Sequence, residues 1–361
     1  MTDQIQKKKQ PERRGRKPDR RRELFLRIAA DIDSGKLSGK LPGVMKLADR
    51  YHTCHGTVQN AIRLLADAGY IDVLPRSGCY VRKRLEVVMA GLYLENQNPL
   101  NLPDAYTNFM ANLGPLYQSL HDTLGKSGIP LSFEVIDIGN AEAVRRLKRP
   151  GRHLVVNFPI QEPERYYSLF EGCSWTRISG MFDPECPAAH FACDNPAIGQ
   201  LAARRLMKRG CRRFLWIGSL NIGLFRQRFD AFSQELNSSG LQAEHLEIDS
   251  FRMNLPEILL RMKTTLEPNT ESLRSGETGI FCAADAFMQP LQQVLEHLPG
   301  GVEDAVIVSC DNNPYFLQNV TLKADEIDIG LREIGKEVGA HILSNPDLPV
   351  KRVFPPELRV R

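Results

Sequence analysis

Residues 41–82 read LPGVMKLADRYHTCHGTVQNAIRLLADAGYIDVLPRSGCYVR, and their central part follows the period of a helix. Within residues 57–69 the apolar positions are Val58, Ala61, Ile62, Leu65 and Ala68. The opposite side of the same helix carries His55, Gln59, Asn60 and Arg63. This spacing predicts a helix with one buried face and one face that presents hydrogen-bonding side chains.

A β-hairpin is predicted directly after this helix. Gly69 is typical of a helix end, and two β-rich runs follow at residues 70–74 and 79–82. Between them, Pro75, Arg76, Ser77 and Gly78 have the composition of a tight turn, with the arginine at its tip. The segment therefore predicts a helix followed by a β-hairpin, or wing.

Several positions in this segment occur in a familiar order. They are Leu41-Pro42, Leu47-Ala48, Thr57-Val58, Ala61, Leu65, Gly69-Tyr70-Ile71, Arg76, Gly78 and Val81. Over residues 20–82 this pattern resembles the GntR-type winged helix-turn-helix, which implies DNA binding. The segment departs from that family at Met45, where an arginine is common, and at Cys54 and His55, where serine and arginine are common. The resemblance thus implies an operator unlike that of a typical relative.

The helical pattern also indicates which side chains contact DNA. A support helix is predicted at residues 20–34, a short helix ends near Tyr51, and the helix from about Cys54 is expected in the major groove. Phosphate contacts would fix its register, and base contacts would supply sequence preference, with amides suited to adenine edges. The predicted DNA-binding residues are Lys46, Arg50, His55, Thr57, Gln59, Asn60, Arg63, Arg76, Ser77 and Gly78. For each base reader, a solvated surface side chain is the alternative.

Charge is distributed unevenly along the 361 residues, whose net charge is +4. Residues 1–86 hold 20 Lys and Arg against 10 Asp and Glu, whereas the remainder holds 27 against 33. A basic, polyanion-binding head on a mildly acidic body is therefore predicted. Residues 1–18 form a basic arm that we expect to be disordered in the free protein. Its Arg13-Arg14-Gly15-Arg16 run is similar to an AT-hook, with Arg14 and Arg16 as minor-groove residues; plain phosphate attraction is the alternative.

The cysteines are scattered rather than paired. The eight thiols include no C-x-x-C pair and no histidine partner at zinc spacing, so we expect a reducing compartment and no metal. The polar N-terminal residues and the lack of any run of about 18 apolar residues predict a cytoplasmic protein with no membrane association.

After a short linker at residues 83–86, the pattern changes to alternating strands and helices. Strands are predicted at residues 87–94, 131–137, 153–158, 175–179, 214–217, 245–249, 279–282 and 305–309, and near Val353. Helices are predicted at residues 105–125, 140–147, 201–209, 225–236, 258–263, 287–297 and 329–343. This alternation is typical of parallel α/β sheets, and its length predicts two lobes. The predicted fold class is α/β, with domains at residues 19–82 and 87–361.

Short sequence motifs in residues 87–361 resemble those of the effector domain of LacI/GalR-type repressors. That domain is similar to periplasmic sugar-binding proteins. The motifs include Cys193-Asp194-Asn195, Arg228-Phe229-Asp230-Ala231-Phe232, Ala283-Ala284-Asp285 and Ser309-Cys310-Asp311-Asn312. The combination with the head resembles the arabinose-repressor type of transcriptional regulator. It implies a ligand between the lobes, where open α/β sheets bind small molecules. The implied effector-binding residues are Asp194, Arg228, Phe251, Asp285 and Asp311.

The predicted function is that of a transcriptional regulator, and repression is favoured over activation. It would bind a pseudo-palindromic operator as a homodimer and respond to a small effector, with a sugar preferred over a purine or another polyol. Ala284 stands where the LacI/GalR family has an amide, and Ala231 where it has a glycine, which leaves the ligand open. No enzyme activity and no cofactor are expected, since P-loop, G-x-G-x-x-G and G-x-S-x-G motifs are absent. A pyridoxal-phosphate enzyme-like body and an effectorless architectural protein are the alternatives.

Overall fold

A computed structural model describes residues 20–33, 35–81, 85–93, 105–148, 151–157, 163–178, 180–249 and 253–360. The chain divides into two compact units, Met1–Arg84 and Leu85–Arg361. The predicted arm with Arg14 and Arg16, and the predicted effector residue Phe251, lie outside the described residues.

The first unit is a small helical domain with a β-hairpin. Its elements are α1 (Arg20–Asp33), α2 (Val44–Arg50), α3 (His55–Asp67), β1 (Ile71–Leu74) and β2 (Gly78–Val81). The strands pair antiparallel from Ile71 opposite Val81 to Leu74 opposite Gly78. The core takes one apolar face from each helix, including Ile28, Leu47 and Leu65, which are fully buried. The predicted helix and wing are confirmed.

The second unit alternates helices and strands. Its helices are α4 (Ala105–Gly125), α5 (Ala141–Leu147), α6 (Asn195–Lys208), α7 (Gly223–Asn237), α8 (Leu255–Leu266), α9 (Thr270–Arg274), α10 (Met288–His297), α11 (Pro314–Leu317) and α12 (Leu331–Ser344). Its strands are β3 (Glu86–Tyr93), β4 (Leu131–Asp137), β5 (Arg152–Asn157), β6 (Ser174–Ile178), β7 (Ala189–Cys193), β8 (Arg213–Gly218), β9 (Ala243–Glu247), β10 (Thr278–Cys282), β11 (Val306–Asp311), β12 (Asp325–Asp328), β13 (Lys351–Phe354) and β14 (Glu357–Arg359).

These strands form two six-stranded sheets, which define two lobes. Lobe 1 has the order β13-β7-β6-β5-β3-β4 and lobe 2 the order β14-β12-β11-β10-β8-β9. Every neighbouring pair is parallel except β12 with β14. The central strands are buried along nearly their whole length, as expected when helices cover both faces of a parallel sheet. The prediction of two α/β lobes is confirmed, with one antiparallel edge as a correction.

The sequence prediction misplaced or missed particular elements. Helix α6 begins at Asn195, although the predicted helix began at residue 201, because Pro196 and Gly199 favour a loop in sequence. Proline is well tolerated in the first turn of a helix, so the helix starts before it. Strand β12 was not predicted because its sequence is DEID. Its Asp325 is buried against Arg205, with 2.6 Å between Oδ2 and Nε, which lets a carboxylate occupy a core strand.

The chain crosses between the lobes at three places. These are the connections from β7 to α6, from β12 to α12 and from β13 to β14. Hydrogen bonds tie the crossovers together, since the Asp194 amide donates to the Phe354 carbonyl at 3.0 Å and the Cys193 thiol to the Ile329 carbonyl at 3.5 Å. At Gly330 the backbone has φ +76°, which favours glycine. Three adjacent connections therefore join the two lobes at this edge, which we call the lobe hinge.

Helices α4 and α12 of lobe 1 pack closely. A Cβ at Gly335 would lie 2.4 Å from the Leu116 carbonyl oxygen, so only glycine permits this approach. Inside α4, Pro115 has no N–H and leaves the carbonyl of Ala111 without its usual helical donor. A proline in a helix interior costs about 3 kcal/mol relative to alanine.

A buried histidine lies between strands of lobe 1. His153 Nδ1 is 2.8 Å from Ser174 Oγ, and its Nε2 is 2.9 Å from Thr176 Oγ1. Ser174 donates to Asp347 Oδ1 at 2.7 Å, so Ser174 accepts from Nδ1–H and Thr176 donates to Nε2. Burial lowers the pKa of His153 from 6.5 to about 4, with a further lowering from His341 and an opposing effect of Asp347. The ring is therefore neutral in the folded protein at neutral pH.

Acidification is expected to destabilise the protein through His153. Above pH 6.5 the ring is neutral in both states, whereas between pH 6.5 and 4 the unfolded chain binds a proton that folded His153 does not. The unfolding free energy should fall by about 3 kcal/mol across that window. Urea unfolding at pH 7.5 and 4.5 would measure this loss. His153→Gln should show a smaller loss, and equal losses in both proteins would contradict the assignment.

Candidate functional sites

The outward face of α3 carries a stripe of polar side chains. His55, Gln59 and Arg63 are exposed and spaced four residues apart, so they lie above one another on the helix. Asn60 is half-buried beside this stripe. The opposite face holds the buried Val58, Ala61 and Leu65. The structure therefore brings the predicted base readers together on the side away from the core.

Thr57 lies differently from the other predicted DNA-binding residues of α3. It is half-buried, and its hydroxyl is 3.1 Å from Cys54 Sγ. Cys54 is the N-cap of α3 but makes no capping hydrogen bond with its side chain. The hydrogen bond from the Thr57 hydroxyl lowers the pKa of the exposed Cys54 thiol. DNA contact by Thr57 stays a prediction.

The remaining predicted contacts of the first unit lie on α2 and the wing. Lys46 and Arg50 are exposed, and Arg50 Nη2 donates to Asp31 Oδ2 at 3.2 Å. Arg76 is exposed at the wing tip with φ +63°, a conformation unusual for a residue with a Cβ. Next to it, the Ser77 hydroxyl lies 2.9 Å from the Tyr80 hydroxyl, and Gly78 has φ +112°. The wing therefore holds a cationic side chain outward on a tightly folded turn.

In the second unit, a buried arginine and two aspartates lie together in lobe 2. Arg228, on α7, is 3 % exposed and donates to Asn195 Oδ1 at 3.0 Å and to the Ala283 carbonyl at 2.6 Å. Its Nη1 also donates to Asp311 Oδ1 at 3.4 Å. Asp311 ends β11, and Ala283 follows β10 directly. The cluster therefore lies at the carboxyl ends of parallel strands, where α/β sheets bind small molecules.

The backbone at this cluster is strained. Asp311 has φ +114° and Asn312 has φ +50°. Non-glycine residues held in such conformations cost about 1–3 kcal/mol each and concentrate at functional sites. Burial raises the pKa of Asp311, while the Arg228 guanidinium acts in the opposite direction. The pair places a guanidinium donor and a carboxyl acceptor side by side, with 3.4 Å between Nη1 and Oδ1.

Asp285 is fully buried beside this pair. Its Oδ2 accepts a hydrogen bond from the Asn313 amide at 2.7 Å, which anchors the turn after β11. Burial raises the pKa of Asp285 well above its usual value, and the charge of Asp311 raises it further. In this arrangement Asp285 supports the loop that carries Asp311, and its direct contact with a ligand stays a prediction.

Asp194 caps a helix. Its Oδ1 accepts from the Ala197 amide at 2.9 Å at the start of α6. Sequence reasoning missed two amides that the structure brings to the cluster, Asn195 and Asn313. Asn195 directly follows the predicted residue Asp194, and Asn313 lies two residues after the predicted residue Asp311. Their position just after a strand end was the available signal. Ligand contact by Asp194 stays a prediction.

Close packing of α6 on α7 positions Arg228. A Cβ at Gly199 would lie 2.0 Å from the Arg228 carbonyl oxygen and 2.9 Å from the Phe232 amide nitrogen. Since both near atoms belong to the backbone, no side-chain movement could relieve the overlap. Gly199 therefore sets the distance at which α7 presents its arginine.

Within the described ranges, the helices are too short or too polar to cross a lipid bilayer. No three His, Cys, Asp or Glu side chains of the described residues lie where they could share a metal ion. All eight cysteines are free, and five of them are buried.

Comparison with known proteins assigns the head and the fold of the body. Residues 20–81 match the family of bacterial regulatory proteins named gntR. No curated protein sequence matches the chain. Three similar solved structures are the transcriptional regulator CelR bound to cellobiose, the trehalose repressor from Escherichia coli, and a LacI family regulator from Enterococcus faecium with bound ribose.

These three structures share the fold over most of the chain. The CelR complex is 15 % identical with a TM-score of 0.58 and covers 89 % of this chain and 99 % of its own. The trehalose repressor is 14 % identical with a TM-score of 0.56, at 76 % and 99 % coverage. The Enterococcus faecium regulator is 17 % identical with a TM-score of 0.57, at 76 % and 97 % coverage. Residues 20–81 are thus a GntR-family DNA-binding domain, joined to a body with the two-lobed fold of LacI-family regulators.

Proposed function

We propose that the chain is a transcriptional repressor whose affinity for its operator is set by a small sugar bound between the lobes. The observation that carries this proposal is the buried Arg228–Asp311 pair on strained backbone at the strand ends of lobe 2. A guanidinium and a carboxylate held side by side donate to and accept from neighbouring hydroxyl groups, as sugar recognition requires. The cellobiose and ribose complexes among the similar structures support the same ligand class.

DNA recognition follows from the first unit. Gln59 and Asn60 suit base edges in the major groove, while Lys46 and Arg76 suit phosphate or the minor groove. The protein proposed is a cytoplasmic homodimer. Its two heads bind one pseudo-palindromic operator, so they must match half-sites about 34 Å or a multiple apart. The domain division proposed is a basic arm at residues 1–18, the DNA-binding domain at 19–82, a linker at 83–86 and the effector domain at 87–361.

Ligand control works through the lobes. A sugar that binds one lobe arrangement more tightly shifts the equilibrium by its differential affinity, with a coupling of about 1–3 kcal/mol. In a dimer, the lobe arrangement sets the separation of the two heads and therefore operator affinity. The body acts as a receptor in this scheme, and no catalytic step is part of it.

Thermal unfolding against a panel of sugars tests the proposal. The full-length protein is mixed with arabinose, xylose, ribose, glucose, galactose, cellobiose or trehalose over a concentration series. At least one should raise the unfolding temperature progressively, since a ligand at 100 times its Kd stabilises by about 2.7 kcal/mol. The same sugar should change affinity for an operator selected from random duplexes. A panel without any effect on stability would refute sugar control.

A further inference from the structure

The proline inside α4 leaves an acceptor on lobe 1. Residue 115 is where the Ala111 carbonyl would find its helical N–H donor, and Pro115 has none. Ala111 is 6 % exposed, so little water can reach this carbonyl. A buried carbonyl without a donor is unfavourable, which calls for a donor from another part of the molecule.

Asn313 of lobe 2 supplies that donor. Its Nδ2 donates to the Ala111 carbonyl at 2.7 Å, and the residue is 2 % exposed. The other end of the same amide, Oδ1, accepts from the Tyr315 backbone amide at 3.1 Å. Reversing the amide would set oxygen against carbonyl and N–H against N–H. Both neighbours thus fix its orientation, and only an amide satisfies them together.

The same residue is joined to the proposed effector site. The Asn313 backbone amide donates to Asp285 Oδ2 at 2.7 Å, and Asn313 follows Asp311 by two residues on the strained turn after β11. A change at the Arg228–Asp311 pair therefore has a short covalent and hydrogen-bonded route to Asn313. That route continues through Ala111 into α4, which packs against α12 beside the lobe hinge.

We propose that Asn313 is a positioning residue of the effector response, and that its bond to the carbonyl freed by Pro115 latches the lobes together. The inference rests on the proposed function, because it assigns Asn313 a role in ligand control. A bond formed in only one lobe arrangement favours that arrangement and raises the apparent affinity of a ligand that selects it. Asn313 needs no contact with the ligand to do this.

Three single variants separate the latch from ordinary stability. Pro115→Ala returns a helical N–H to the Ala111 carbonyl, so it should raise the unfolding midpoint in urea yet weaken sugar binding by about three- to tenfold. Asn313→Asp keeps an oxygen for the Tyr315 amide but sets another against the carbonyl, and should weaken sugar binding similarly. Gly114→Ala is the matched control: a Cβ there meets nothing within 4 Å, and it strengthens the same helix without touching the latch.

The probe is whichever sugar of the panel stabilises the unsubstituted protein, titrated into each variant. A purely structural role would move stability and sugar affinity in the same direction, whereas the latch moves them apart in Pro115→Ala. Gly114→Ala should gain stability with unchanged sugar affinity. Equal sugar affinity in Pro115→Ala and the unsubstituted protein would overturn the proposal.

A double-mutant cycle tests the bond without any ligand. Pro115→Ala should stabilise the Asn313→Asp protein more than the unsubstituted one, because the latch it weakens is already lost. Additive effects on the urea midpoint would mean that no latch exists. If no sugar stabilises the unsubstituted protein, the proposed function has failed and the effector role with it, while the cycle still decides whether the bond joins the lobes.

Discussion

Replacing Arg228 with methionine is expected to lower the unfolding free energy by about 3–5 kcal/mol. The guanidinium is almost fully buried and bonds to Asn195, the Ala283 carbonyl and Asp311. Removal of the cation leaves a carboxylate and a carbonyl in the interior without their charged donor, which is costly because water cannot replace it. Urea unfolding of the full-length protein measures the loss.

The control for this variant also removes the Asp311 carboxylate that the missing guanidinium leaves without its partner. In the double variant Arg228→Met with Asp311→Asn, no buried carboxylate faces the missing guanidinium, so part of the lost stability should return. Both proteins should lose the thermal response to sugar, since each lacks the proposed donor. A loss below about 1 kcal/mol in Arg228→Met would mean that Asp311 is solvated or paired elsewhere.

Substitution of Gln59 by alanine is expected to weaken operator binding by about 10- to 100-fold. The exposed amide on α3 suits a two-bond contact with an adenine edge, and such a contact contributes about 1–3 kcal/mol of discrimination. Binding to random DNA should change little, because phosphate contacts supply that affinity. Fluorescence anisotropy with operator and scrambled duplexes at one fixed salt concentration separates the two terms.

Arg76→Ala and Lys36→Ala complete this comparison. Arg76→Ala at the wing tip should weaken binding to both duplexes and reduce the salt dependence of that binding. Loss of a cation that contacts phosphate or the minor groove has this effect. Lys36 is 68 % exposed and pairs with Asp31 at 3.8 Å, and it is not one of the predicted contacts. Lys36→Ala should leave operator preference intact. Equal effects of Arg76→Ala and Lys36→Ala on the two duplexes would mean that only net charge matters.

The helices and strands with strong periodicity were predictable from sequence. Residues 105–125 and 131–137 were predicted as a helix and a strand, and they are observed as Ala105–Gly125 and Leu131–Asp137. The apolar residues follow the helical period in the first segment and the two-residue period of a strand in the second, so the local pattern agrees with the fold. In the head, Val58, Ala61 and Leu65 gave the buried face of α3 for the same reason.

Elements stabilised by distant partners were not predictable. The sequence DEID of β12 is polar in isolation, and the buried Asp325 pairs with Arg205 and Arg209, which are far away in sequence. The pairing of Asn313 with Ala111 is likewise invisible locally, although Pro115 does mark the carbonyl that needs a donor. The charged residues Arg228, Asp285 and Asp311 of the cluster were named from the sequence and lie together, and their contact with a ligand stays a prediction. The amides that connect them depend on tertiary packing.

The two edge strands β13 and β14 follow one another in sequence but complete different sheets. Residues 351–354 pair with β7, and residues 357–359 pair with β12. Neither lobe therefore corresponds to one uninterrupted piece of polypeptide. A fragment that ends at the crossover from β7 to α6 holds five strands of lobe 1 alone, whereas one that ends at the crossover from β12 to α12 holds five of the six strands of each sheet. During synthesis both sheets therefore receive their last strand within residues 351–359.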